Sequence, residues 1–157
     1  MIEYDEKTIK EMQNTLEFDD MDSARTEIQG FRVTINRDLF DNDYDDFDDD
    51  IDEEEIKEAI TPQRIKFAFD LLNDYLKNKE KYENAALETI KNCLNEEDNV
   101  DDSTILEQLG KPSISITNKK YACLNYGEIK ELGHHYPELR IKRNDTEFEI
   151  YDVALNG

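Results

Sequence analysis

A run of acidic residues from Asp38 to Glu58 constrains the fold of this chain more than any other feature. The run holds thirteen carboxylates against one base, Lys57, and therefore carries −12 of the formal net charge of −21. Aspartate and asparagine disfavour the interiors of both helices and strands. We therefore expect an acidic loop at about 38–58, within one domain that spans residues 1–157.

Large apolar side chains are spaced through this run at intervals of three to four residues, at Phe40, Tyr44, Phe47 and Ile51. They either pin the run to the folded body or serve as anchors for a partner. A solvated loop without a ligand is the alternative. The predicted partner-binding residues are Asp43, Tyr44, Asp45, Asp46, Phe47, Asp48, Asp49 and Asp50.

The same run offers oxygen ligands to a hard cation, since Ca²⁺ takes about six to eight oxygens. The candidate ligands are Asp41, Asp43, Asp45 and Asp49. In that register Asp46 stands where an EF-hand needs glycine, and Asp52 stands where it needs glutamate. The pattern argues against an EF-hand and leaves a weaker Ca²⁺ site as an alternative. We expect no resident cofactor.

The overall charge narrows the class of partner. The chain has 40 acidic and 19 basic residues, so phosphates are repelled and neither nucleic acid nor an anionic membrane is the expected partner. A basic protein or a cation fits better. A further alternative is an acidic DNA mimic, whose spaced carboxylates imitate phosphates for a nucleic-acid-binding enzyme.

Three sequence features indicate where the protein is located: its first ten residues, its longest apolar runs and its two cysteines. Residues 1–10 are charged and lack the apolar stretch of a secretion signal, and no apolar run approaches the roughly 18 residues of a membrane span. Cys93 and Cys123 are far apart in sequence. We expect a cytoplasmic protein in which both thiols are reduced and buried.

Helical periodicity predicts four helices. A short helix covers about 7–14, and the longest begins at Pro62 after a Thr61 cap. The next runs from about 80 to 94, and a short one covers 104–109 after a Ser103 cap. The apolar stripe predicted for the longest helix consists of Ile65, Ala68, Phe69, Leu72 and Leu76.

Alternating apolar residues predict three hairpins. The first joins 24–28 to 31–35 through Gln29-Gly30, the second joins 113–117 to 121–125, and the third joins 139–142 to 148–150. The predicted fold class is α+β, with antiparallel β-hairpins forming a sheet that is packed by an antiparallel helix pair.

Sites for catalysis are weak in this sequence. His134 and His135 are adjacent, so on a strand they point to opposite faces and do not chelate together. Cys93 lies on an apolar helix face and Cys123 alternates within a strand, as buried structural cysteines do. Phosphate-loop, Gly-x-Ser-x-Gly and His-Glu-x-x-His motifs are missing from the sequence. We expect no catalytic residues and a protein that is not an enzyme.

The order of these features resembles that of small bacterial domains of unknown function that are predicted to be immunity proteins of polymorphic-toxin systems. The resemblance covers about 16–157 and is carried by apolar positions and turns. The matching segments are the helix pair 67–90, which begins Phe67-Ala68-Phe69-Asp70-Leu71-Leu72, then 105–109, Ile114-Ser115-Ile116 and 148–155. The resemblance implies a non-catalytic module that neutralises a basic toxin domain by stoichiometric binding.

Overall fold

The computed structural model describes residues 2–37, 52–94, 99–145 and 147–156, which contain four α-helices and six strands. The helices are α1 (Glu6–Thr15), α2 (Glu53–Lys77), α3 (Lys79–Cys93) and α4 (Asp102–Leu109). The strands are β1 (Ser23–Ile28), β2 (Phe31–Asn36), β3 (Ser113–Ile116), β4 (Tyr121–Asn125), β5 (Tyr136–Asn144) and β6 (Glu147–Asn156). The α+β class expected from the sequence is confirmed.

The six strands form one sheet in which the spatial order follows the chain order from β1 to β6. Four of the five strand pairs are antiparallel, but β2 and β3 are parallel, with Val33 opposite Ile114. The expectation of a sheet formed by antiparallel hairpins is therefore confirmed in part, because one of the five pairings is parallel. The chain leaves the sheet after β2 and returns at β3 after three helices, and a long crossover of this kind permits parallel pairing.

The three predicted hairpins are confirmed by the strand pairing. In the first, Gln29 and Gly30 have φ of 52° and 84°, so both turn residues are left-handed. A two-residue turn of this kind matches the twist of the flanking strands. In the third, the register shifts between Arg140 and Ile141, which leaves Tyr151 of β6 as the extra residue of a β-bulge.

The core lies between one face of the sheet and the helices. Helix α2 contacts β2 and β3, and α3 contacts β5 and β6. Eight core side chains of the sheet are at most 1% exposed, and they are Val33, Ile35, Ile114, Ile116, Ala122, Leu124, Leu139 and Ile141. The opposite face carries half-exposed and exposed side chains.

Helix α2 begins nine residues before the predicted start, because Pro62 lies inside the helix instead of at its first position. A proline has no N–H to offer the carbonyl of Glu58 four residues earlier. That carbonyl accepts a hydrogen bond from Gln13 Nε2 of α1 at 2.9 Å instead. Residues 53–58 of the predicted acidic loop are therefore helical, and α1 satisfies the hydrogen-bond acceptor that Pro62 leaves open.

The other helices agree more closely with prediction. Helices α1 and α3 lie within one residue of the expected bounds. Helix α4 is capped by Asp101, whose Oδ1 accepts from the N–H of Thr104 at 2.9 Å, so the predicted Ser103 cap is wrong. Only Asn78 separates α2 from α3. The antiparallel arrangement of these two helices stays a prediction.

A buried arginine ties α2 to the end of β2. Arg64 is 1% exposed, and its Nη1 donates to the carbonyl oxygen of Asn36. A buried charge is tolerated only where hydrogen bonds replace its water. This contact fixes the middle of α2 against the last residue of β2.

Candidate interaction surfaces

The site residues predicted in the acidic run lie outside the described residues. These are the weak metal candidates Asp41, Asp43, Asp45 and Asp49, and the partner-binding residues at positions 43–50. Both assignments stay predictions. Across residues 2–37, 52–94, 99–145 and 147–156, no group of three His, Cys, Asp or Glu side chains is placed to hold a metal ion.

The two histidines follow a left-handed turn at Gly133, in an exposed connection before β5. His135 forms an isolated bridge with Ile129, and His134 Nδ1 lies 3.5 Å from Glu128 Oε2. The histidines thus sit in an exposed surface loop. None of the described helices is both long enough and apolar enough to cross a membrane.

The prediction of two buried thiols is wrong. Cys93 is exposed, because it lies in the last turn of α3 beyond Ile90, where the buried stripe of that helix ends. Cys123 is half-buried on the open face of the sheet. Burial, with Glu138 beside it, raises the pKa of the Cys123 thiol to about 11, which keeps it protonated and unreactive near neutral pH.

A concave surface that we call the polar groove lies along α2, with a volume of about 1020 Å³. At its centre Asp70 accepts hydrogen bonds from the Tyr4 hydroxyl and, at 3.0 Å, from Arg143 Nη2. The ring of Tyr4 stacks on Phe69 with centroids 4.9 Å apart. Burial and the Asp70 carboxylate raise the pKa of Tyr4 to about 12. The groove thus joins the N-terminal segment, α2 and β5 through one carboxylate.

Two further side chains of α2 complete the internal pairing in the polar groove. Asn73 accepts from the Ile2 N–H at 2.6 Å and donates to the Ile2 carbonyl oxygen at 2.9 Å. Asp74 accepts from the hydroxyl of Tyr82 and from Asn78 Nδ2. Burial and the Asp74 hydrogen bond raise the pKa of Tyr82. Asp70, Asn73 and Asp74 therefore find their partners within the chain.

A second concave surface, which we call the apolar cleft after its two exposed leucines, lies on the other side of Ile2 and Glu3 and has a volume of about 940 Å³. It is bounded by the end of α2, the start of α3, α4 and the β1–β2 turn. Its remaining lining residues are Gln29, Phe31, Tyr75, Leu76, Lys79, Glu83, Leu106, Glu107, Gly110 and Lys111. Two of these, Leu76 and Leu106, are 43% and 36% exposed.

Charged groups surround the aromatic side chains of the apolar cleft. Phe31 and Tyr75 are 5% and 2% exposed and pack edge to face with centroids 5.8 Å apart. The ammonium of Lys111 lies 4.7 Å from the centroid of the Phe31 ring. Lys79 pairs with Glu83 at 3.6 Å. The cleft thus combines two exposed leucines with charged walls, over a floor of packed aromatic rings.

The open face of the sheet is a third candidate surface. Tyr121 and Tyr151 meet edge to face with centroids 5.6 Å apart. Beside them Arg140 Nη1 lies 3.0 Å from Asp152 Oδ2, and its Nε lies 3.4 Å from Glu138 Oε2. The pair with Asp152 joins β5 to β6, as cross-strand neighbours of opposite sign do, and the pair with Glu138 lies within β5.

Acidity is not confined to the run at 38–58. Of the 40 acidic residues, 29 lie in the described residues, and so do all 19 basic ones. The described part of the chain therefore carries a net charge of −10. The body of the protein is acidic by itself.

The exposed leucines of the apolar cleft are the functional candidates that sequence reasoning missed. Leu76 continues the predicted stripe of α2, and it was expected in the core. Leu106 follows Ile105, and the buried pair of α4 is Ile105 and Leu109, four residues apart. That spacing leaves Leu106 off the buried stripe, which is the one local signal of its exposure.

No family model matches this chain, and neither a curated protein nor a solved structure matches it.

Proposed function

We propose that this protein is a non-catalytic protein-binding module of the immunity type, which neutralises a basic toxin domain in the cytoplasm by binding it stoichiometrically. The observation that carries the proposal is charge: −21 overall, and −10 in the described residues alone. Complementary charge speeds the encounter of two proteins and selects against partners of the same sign.

Charge alone does not make a long-lived complex, because exposed ion pairs contribute little and are screened by salt. Buried aromatic anchors supply most of the binding energy in protein interfaces. Tyr44 and Phe47 are the anchors we assign within the acidic run, flanked by Asp43, Asp45 and Asp46. The resemblance to predicted immunity domains supports the same function.

The test is calorimetric titration with the catalytically inactivated product of the adjacent gene. We expect one-to-one binding that weakens as salt rises, since the Debye length falls from about 30 Å at 0.01 M salt to about 3 Å at 1 M. Failure to bind at the lowest salt would contradict the proposal. A parallel titration with Ca²⁺ alone checks the cation alternative, which a saturable heat would favour.

Two matched variants separate a specific acidic surface from general acidity. One carries Asp→Asn at positions 43, 45, 46, 48, 49 and 50, which removes six charges. The control neutralises six exposed acids outside the run, at Glu6, Glu17, Asp20, Glu88, Asp145 and Glu147. We expect the first variant to lose far more affinity than the control. Equal losses would mean that the run is not the binding site.

A further inference from the structure

We propose that the apolar cleft receives an apolar side chain of the basic partner, carried on a segment with arginine or lysine beside it. The inference rests on the proposed function and names a second contact surface for it, made of described residues. The described lining of the cleft contains no residue of the acidic run, so either site can be tested without the other.

Two exposed leucines distinguish the apolar cleft from the rest of the described surface. Four large apolar side chains of the described residues are exposed, and they are Met21, Leu76, Leu106 and Tyr151. Two of the four, Leu76 and Leu106, come from different helices and line one cleft. Isolated exposed apolar residues are ordinary, whereas two exposed leucines from different helices that line one concave surface form a candidate binding site.

The aromatic floor of the cleft is rigid. The aromatic lining, Phe31 and Tyr75, is buried and packed edge to face, so its shape is set before a partner arrives. A preformed apolar pocket loses little conformational entropy when it is filled. Its volume of about 940 Å³ accommodates a large side chain together with part of the segment that carries it.

Charge decides what kind of segment fits. The lining holds three carboxylates, Glu3, Glu83 and Glu107, against two ammonium groups. Of those two, Lys79 is paired with Glu83, and Lys111 lies over the ring of Phe31. Glu3 and Glu107 are both exposed, so they face an incoming cation. A second copy of this chain would bring another −21 charges and is disfavoured.

The experiment uses the full-length protein and two short synthetic peptides of equal charge. One peptide places two leucines between arginines, and the other has serines in place of the leucines. Binding is followed by amide chemical shifts. We expect the leucine peptide to saturate and to move signals around Leu76 and Leu106, and the serine peptide to bind at least about tenfold more weakly.

Variants at exposed positions make the test specific without threatening the fold. Leu76→Asp and Leu106→Asp combined are expected to weaken binding of the leucine peptide by about tenfold or more. Met21→Asp is the matched control, since Met21 is 77% exposed and lies outside the cleft lining, and it should leave affinity within about twofold. Thermal unfolding of each variant verifies that it is folded.

Several outcomes would overturn the inference. These are equal binding of the two peptides, shifts that map to the open face of the sheet, or no effect of the double variant. Self-association that Leu76→Asp abolishes would also overturn it, because the occupant would then be a second copy. If the toxin domain binds but ignores the double variant, only the cleft proposal fails. If the leucine peptide occupies the cleft but the toxin domain never binds, only the proposed function fails.

Discussion

The polar groove and the apolar cleft lie on either side of Ile2 and Glu3, and their volumes are similar, about 1020 and 940 Å³. They differ in how their lining is satisfied. In the polar groove Asp70 and Asp74 accept hydrogen bonds from side chains of the same chain. In the cleft Leu76 remains 43% exposed. A polar group is satisfied by one well-placed donor, whereas apolar surface stays in contact with water until another surface covers it.

The largest expected effect is a difference in the free energy of unfolding between alanine variants of Leu72 and Leu76, which lie one helical turn apart. Leu72 is fully buried, so Leu72→Ala should lower the free energy of unfolding by about 2–5 kcal/mol. Leu76→Ala at the cleft should cost less than about 1 kcal/mol, because much of its side chain already faces water. Urea unfolding measures both. A similar cost for the two variants would mean that the cleft is part of the core.

These two leucines also show what sequence could predict. Helical spacing places Leu72 and Leu76 on one stripe, and only the tertiary contacts distinguish them. The hairpins were predictable because alternation and turn residues such as Gln29-Gly30 are local signals. The parallel pairing of β2 with β3 joins residues on either side of three helices, and no local signal encodes it.

The residues of the polar groove also could not be predicted from local signals. The polar groove joins Tyr4, Asp70 and Arg143, which lie 66 and 73 positions apart along the chain. No spacing in the sequence brings them together. The sequence predicts a helix start at Pro62 because proline suits the first helical position. The hydrogen bond from Gln13 to the carbonyl of Glu58 comes from another helix, so no local signal shows that α2 begins earlier.

A second prediction concerns the wall of the cleft. The Gly127 N–H donates to the carbonyl of Leu109 at 2.9 Å, which joins the end of β4 to α4. A Cβ at Gly127 would lie 2.5 Å from the backbone oxygen of Gln108, and backbone cannot move aside cheaply. Gly127→Ala should therefore lower stability by about 1–3 kcal/mol and displace α4. Gly133→Ala is the control, since nothing lies within 4 Å of its added Cβ and only its positive φ is strained.

Amide signals of the Gly127→Ala variant provide a second measurement, which compares the apolar cleft with the polar groove. If α4 moves, amide signals around Leu106 should shift while those around Asp70 do not. Unchanged stability together with unchanged signals would show that the approach of β4 to α4 is looser than the distances indicate.

A third prediction tests the pairing in the polar groove. Asp70 and Arg143 are 24% and 25% exposed, and Asp70 also accepts from Tyr4. Asp70→Ala leaves both donors without this acceptor and should cost about 1–3 kcal/mol in urea unfolding. Lys66→Ala changes an exposed residue of the same groove and should stay within about 0.5 kcal/mol. Equal effects would mean that the Asp70 hydrogen bonds contribute nothing to stability.

The smallest expected effect is a pH dependence that arises from Tyr4. Burial and the Asp70 carboxylate raise the pKa of Tyr4 from 10.0 to about 12, because both favour the neutral phenol. The folded state thus holds this proton more tightly than the unfolded state does. The contribution of Tyr4 to stability is fully present below pH 10 and is lost as the pH rises from about 10 to about 12.

Tyr4→Phe isolates this contribution, because all other tyrosines and lysines titrate alike in both proteins. Phenylalanine keeps the stacking on Phe69 but has no proton to lose. The difference in unfolding free energy between the wild-type protein and Tyr4→Phe should therefore shrink or reverse between pH 10 and pH 12 in favour of the variant. A difference that stays constant across that interval would show that the Tyr4 hydroxyl titrates as it does in the unfolded chain. The polar groove would then lack the internal pairing that distinguishes it from the apolar cleft.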